Sequence, residues 1–81
     1  MSVKVDDEVD IRGEVCPYTF VRSKLKLETM PTGHVLRIIT DHEPATRNVP
    51  KSMENEGHQL ISSPHKINDT DWEFLVKKQT E

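Results

Sequence analysis

Cys16 is the only cysteine of the chain, and it sits in the run Arg12-Gly13-Glu14-Val15-Cys16-Pro17-Tyr18-Thr19. A thiol can act as a nucleophile or carry a transferable group, and in both roles the thiolate is the working form. Gly13 turns the chain after a short alternating segment, and Pro17 suits the first turn of a helix, so Cys16 is expected at a helix N-terminus. With Cys16 as N-cap, the N–H groups of Tyr18 and Thr19 and the positive end of the helix dipole would face the sulfur and favour its charge. Arg12, Arg22 or Lys24 would add to this, and Glu14 would oppose it. The plain alternative is a small buried hydrophobe. The residues by themselves leave a reactive and an inert Cys16 both open.

Other chemistries find less support. A single cysteine excludes an intramolecular disulfide and a multi-cysteine metal site. None of His34, His42, His58 and His65 stands four residues from another, and all fall near turns or strand ends, so no metal is expected. Nothing marks the orienting residue or oxyanion site of a cysteine hydrolase, and no cofactor motif occurs. Arg22, Lys24 and Lys26 on the first helix, with Arg12 before it, are either a solvated basic face or a patch that docks a partner.

The chain around these residues has 81 residues, enough for one domain over 1–81, with residues 1–7 expected to fray. Charged residues make up 31% and the apolar set 33%, which suits a thin core between one sheet and its helices. Eleven Lys and Arg against 14 Asp and Glu give a formal charge of -3, the wrong balance for a nucleic-acid binder. No apolar run approaches the roughly 20 residues of a membrane span, no signal-peptide pattern opens the chain, and a cytoplasmic location follows as the default.

The pattern predicts a strand over residues 8–12, then a helix from Cys16 or just after it to Glu28, stopped by Pro31 and Gly33. Tyr18, Val21 and Leu25 share one face of that helix, and Phe20 and Leu27 share another. Residues 35–40 are a β-branched run suited to a central strand. A second helix is expected over 49–56, with Asn48 as N-cap, Pro50 in the first turn and Gly57 as the stop. A strand over 58–63, a turn at Asn68-Asp69 and a final strand with Trp72, Phe74 and Val76 inward complete the order βαβαββ. The first parallel pair requires a right-handed crossover. The expected fold is an α/β two-layer sandwich: a mixed four-stranded sheet with both helices on one face, and Val9, Ile11, Leu36 and Ile38 also turned inward.

The ordered set Asp10, Gly13, Cys16 and Pro17, the turn Pro31-Thr32-Gly33, the apolar strand to Thr40, and then Asp41, Pro44, Ala45, Asn48, Val49 and Pro50 resembles the TusA-like (SirA-like) sulfur-carrier family. The resemblance spans about residues 8 to 77. It implies the same βαβαββ sandwich and a cysteine, Cys16, that accepts sulfane sulfur as a persulfide. The sulfur would come from a donor protein, a cysteine desulfurase or a rhodanese-like enzyme, and pass to an acceptor protein. Asp10, Gly13, Pro17, Tyr18 and Thr19 would be the supporting motif residues. One departure is visible: Cys16-Pro17-Tyr18-Thr19 stands where the family has Cys-Pro-x-Pro, so Thr19 replaces the second proline. Thr19 would then offer the sulfur a backbone N–H that proline lacks. The alternative function is a regulatory or interaction module that keeps the fold without transferring sulfur.

Overall fold

The computed structural model describes residues 5–15 and 18–79. Its elements are β1 (Asp7–Asp10), α1 (Tyr18–Glu28), β2 (Val35–Thr40), α2 (Ala45–Asn55), β3 (Gln59–Lys66) and β4 (Trp72–Lys77). The sheet order is β1-β2-β4-β3, with β1 parallel to β2 and the other two pairings antiparallel. This is the mixed four-stranded sheet expected from the pattern. β2 and β4, the most apolar strands, lie in the centre, where both of their edges are paired.

Alternation along the strands sends Leu36 and Ile38 of β2 and Phe74 and Val76 of β4 to one face, in register as Leu36 opposite Val76 and Ile38 opposite Phe74. All four are fully buried, against Leu27 of α1 and Ala45, Val49 and Met53 of α2. Both helices therefore cover the same face. Ile11 belongs to this core, and Val9 packs at its border. Trp72 points the same way but at the end of its strand. It is only half-buried, outside the core cluster, with the Lys66 ammonium 5.2 Å from its ring centroid. On the opposite face a row of charges crosses all four strands. Arg37 of β2 bonds to Glu73 of β4 and, at 2.6 Å, to Glu8 of β1, while His65 of β3 lies 3.0 Å from Glu73.

Several boundaries differ from the pattern. β1 begins at Asp7, and Asp6 is already held, its N–H donating to the Val35 carbonyl and its carboxylate accepting from the Val35 N–H, so fraying does not reach these two residues. Residues 1–4 lie outside the described residues. α2 starts four residues early because Pro44, fixed near helical φ at −57°, opens it. Asn48 is then inside the helix and not its cap, and Pro50 is an interior, buried proline. The far end follows the expectation: Gly57, at φ +92°, makes a Schellman turn in which His58 N–H reaches the Met53 carbonyl and Gly57 N–H that of Glu54, each at 3.0 Å. β3 runs on through Pro64 to Lys66. It is an edge strand with register shifts on either side of Ser62, and an edge with bulges tolerates the missing donor of a proline.

Candidate functional site

Cys16 and Pro17 lie outside the described residues, so the site is defined by what holds the chain on either side of them. On the upstream side, Ile11 is anchored in the core and extends the parallel ladder, its N–H donating to the Ile39 carbonyl at 2.8 Å. Glu14 N–H closes a tight turn onto the Ile11 carbonyl at 3.1 Å. Gly13 takes the third position of that turn at φ +89°, the conformation that favours glycine. Its N–H donates to the Asp41 carboxylate at 2.9 Å, which ties the turn to the end of β2.

Asp10 and Arg12 brace the same turn. The Asp10 carboxylate accepts from the Arg12 backbone N–H at 3.0 Å and from Nη2 at 2.6 Å. The Arg12 guanidinium, then its N–H, hold the Asp10 carboxyl down at about 2. Arg12 also reaches Asp71 at 3.3 Å, and these two carboxylates raise its own pKa. Asp71 is buried, and the Asn68 amide, Arg12 and the Thr70 hydroxyl together keep its carboxyl below the ordinary value. In the sequence Asn68 reads only as a turn residue, and Asp71 is not singled out. Both lie more than fifty residues from Arg12, and no local pattern marks their link to it.

On the downstream side, α1 opens at Tyr18. The N–H groups of Tyr18 and Thr19, expected to face the sulfur, both donate to the Val15 carbonyl, at 2.8 and 3.3 Å. This corrects the N-cap geometry drawn from the sequence. Val15 supplies the first helical acceptor, so the first turn is closed by backbone and those two donors are already taken. Thr19 itself is fully buried, and its hydroxyl has no partner among the described residues. It continues along the inner face as Ser23 and Leu27, at i+4 and i+8, with the Ser23 hydroxyl donating to the Thr19 carbonyl at 2.8 Å.

Of the two apolar faces read for α1, the one with Phe20 and Leu27 meets the core. The other is exposed: Tyr18, Val21 and Leu25, with Val15 just ahead of the helix. The four basic residues are not equally available. Arg12 is held by Asp10 and Asp71, Lys24 by Glu56 at 2.7 Å, and Lys26 by Asp7 at 2.9 Å, whereas Arg22 lies 3.8 Å from Glu14. The histidines are scattered, with His34 near Asp6, His65 on Glu73 and His58 accepting from the Gln79 N–H. Among the described residues no helix is long and apolar enough to cross a membrane.

A turn pinned to the sheet, one cysteine, and a helix start with exposed apolar neighbours can present a single reactive sulfur to another protein. Comparison with known proteins shows the family. The family model described as sulfurtransferase TusA matches residues 7–78. A candidate sulfur carrier protein of Archaeoglobus fulgidus is 51% identical over 78 residues, covering 96% of this chain and 88% of its own length. The sulfur carrier protein TusA of Allochromatium vinosum is 30% identical, covering 90% and 93%. The crystal structure of a SirA-like protein from Desulfitobacterium hafniense superposes with a TM-score of 0.77 at 23% identity, over 91% of this chain and 99% of that one.

Proposed function

Since the chain belongs to the TusA sulfur-carrier family, we propose that Cys16 is its working atom and holds sulfane sulfur as a persulfide between a donor and an acceptor protein. The Cys16 thiolate attacks the terminal sulfur of a donor persulfide. The new S–S bond forms at Cys16, the donor's S–S bond breaks, and the donor cysteine leaves as thiolate. Attack by an acceptor nucleophile on the terminal sulfur reverses the roles. No electrons are gained or lost overall, so the transfer itself calls for no cofactor.

The observation that carries the reading is the position of the sole cysteine in sequence, between a turn locked to β2 through Gly13 and Asp41 and the first residue of α1. The positive end of the α1 dipole and Arg22, which approaches Glu14 only to 3.8 Å, remain as sources of thiolate stabilisation. Tyr18 and Thr19 N–H are committed to Val15, and the Arg12 charge is compensated by two carboxylates. A reducing, cytoplasmic location keeps such a thiol available.

Intact mass after incubation with glutathione persulfide tests the proposal. The protein should gain the mass of one sulfur atom, lost again on reduction, and Cys16→Ser should fold but gain nothing. A wild-type chain that stays at its unloaded mass would sink the proposal and favour the interaction module that does not transfer sulfur.

A further inference from the structure

Arg12, Gly13 and Glu14 form the turn that leads to Cys16, and few bonds fix that turn to the rest of the molecule. Two of its ties are local: the Glu14 N–H bonds back to Ile11 and the Arg12 guanidinium to Asp10, so both travel with the turn. Glu14 approaches Arg22 only to 3.8 Å. Among the described residues, its ties to other strands run from the Gly13 N–H to Asp41, just past β2, and from Arg12 Nη1 to Asp71, just ahead of β4, at 3.3 Å. β2 lies between β1 and β4, so the Arg12 side chain bridges two strand spacings, about 10 Å, across the end of the sheet.

The far anchor of this bridge is firmly held. Asp71 is 5% exposed, whereas residues 67–70 of the turn that carries it are exposed. Its Oδ2 accepts from the Asn68 amide at 2.9 Å as well as from Arg12, and its Oδ1 accepts from the Thr70 hydroxyl at 3.2 Å. Asn68 Oδ1 in turn accepts from the N–H groups of Thr70 and Asp71, each at 2.9 Å, and the Ile67 N–H donates to the Asp71 carbonyl at 3.0 Å. A carboxylate withdrawn from water needs such donors, and three of them fix its direction. The β3–β4 turn thus aims one fixed carboxylate at Arg12.

Resting on the persulfide-carrier reading, we infer that Asp71 is a positioning residue for sulfur transfer: through Arg12 it fixes where the turn delivers Cys16, and Asn68 holds Asp71 in place for this. The role adds no chemical step. A reacting atom displaced by ~1 Å can cost on the order of 10²-fold in rate. That cost falls on transfers in which a protein partner must meet the sulfur in one orientation, and it spares a small donor that can approach from many.

Single-turnover loading of Cys16, read by intact mass, tests this with three donors: glutathione persulfide, a cysteine desulfurase supplied with cysteine, and a rhodanese loaded from thiosulfate. On the wild type at least one protein donor should load faster than the small molecule. Asp71→Ala should lower the maximal rate from that donor about tenfold. The half-saturating donor concentration and the glutathione persulfide rate should stay near those of the wild type. Asp71→Asn should restore most of the rate, because its amide oxygen can still accept from Arg12 and Asn68 while its nitrogen donates to Thr70. Arg12→Gln should be slowed at least as much as Asp71→Ala, and adding Asp71→Ala to it should slow it no further, since Asp71 then has no link to act through. Asn68→Ala, which leaves the pair in place but unaimed, carries the same test should Asp71→Ala not fold. A merely stabilising Asp71 would shift the urea midpoint and leave the maximal rate of the folded protein unchanged. That result, single effects that multiply in the double variant, or an Asp71→Asn as slow as Asp71→Ala refutes the positioning role while the carrier reading stands. So does a wild type on which neither protein donor outpaces glutathione persulfide. If glutathione persulfide leaves Cys16 unloaded, it is the carrier reading that fails.

Discussion

Thr19→Val should stabilise this protein. Thr19 is fully buried on the inner face of α1, and its hydroxyl oxygen has no hydrogen-bond partner among the described residues. A hydroxyl withdrawn from water without a partner costs about 1–3 kcal/mol. Valine keeps the β-branched shape and a similar helix propensity, so the exchange of hydroxyl for methyl isolates that cost. The variant should gain about 1–2 kcal/mol in urea unfolding, and in a domain of this size each kcal/mol raises Tm by about 4–8 °C. Thr19→Ser is the counterpart: it keeps the hydroxyl, loses a buried methyl, and should cost roughly 1 kcal/mol. Equilibrium unfolding of the three proteins, followed by circular dichroism, decides the matter. A valine variant less stable than the wild type would show that the hydroxyl is satisfied and that the account of α1's inner face is wrong.

Further outcomes follow from the same geometry. Gly13→Ala should cost about 1–2 kcal/mol through its positive φ alone, since no atom lies within 4 Å of the added Cβ; an unchanged urea midpoint would mean the turn can adopt another conformation. Lys78 is buried and donates to the Met30 carbonyl at 2.7 Å and to that of Glu28, the last residue of α1, at 3.4 Å, so Lys78→Met should cost about 1–3 kcal/mol by leaving these carbonyls without their donor, read in the same assay. Because the Asp10 carboxyl is depressed in the folded state to about 2 from 3.8, its contribution to stability is present above pH 4 and is lost as pH falls toward 2. Asp10→Asn should therefore show a shallower loss of urea midpoint than the wild type across that window; parallel curves would contradict the pairing with Arg12. Thr19→Pro should leave the pH profile of Cys16 alkylation unchanged, because the Thr19 N–H donates to Val15; a profile moved upward would return that donor to the sulfur.

The sequence by itself determined the element order, the central position of β2, the inward face of β4, the stop at Gly57 and the attention due to Cys16. Each of these depends on local rules: period-two alternation in β4, a β-branched run in β2, a glycine that takes positive φ, a proline after a lone cysteine. Where local rules compete, the outcome was not legible. Asn48 reads as the helix start, but α2 opens after Pro44, so that Ala45 and Val49 meet the core on one face. Pro64 reads as a strand stop, yet β3 passes through it because the strand lies at an edge. α1 carried two apolar faces, and only packing against the sheet decided that Phe20 and Leu27 go inward while Tyr18, Val21 and Leu25 stay outside. Asp71 could be recognised as a brace for Arg12 only once β4 lay antiparallel to β2, which brings the start of β4 to the end of the sheet where β1 delivers the cysteine loop. Pairings between residues far apart in sequence are set by sheet order and register, and those are properties of the whole chain and not of any segment of it.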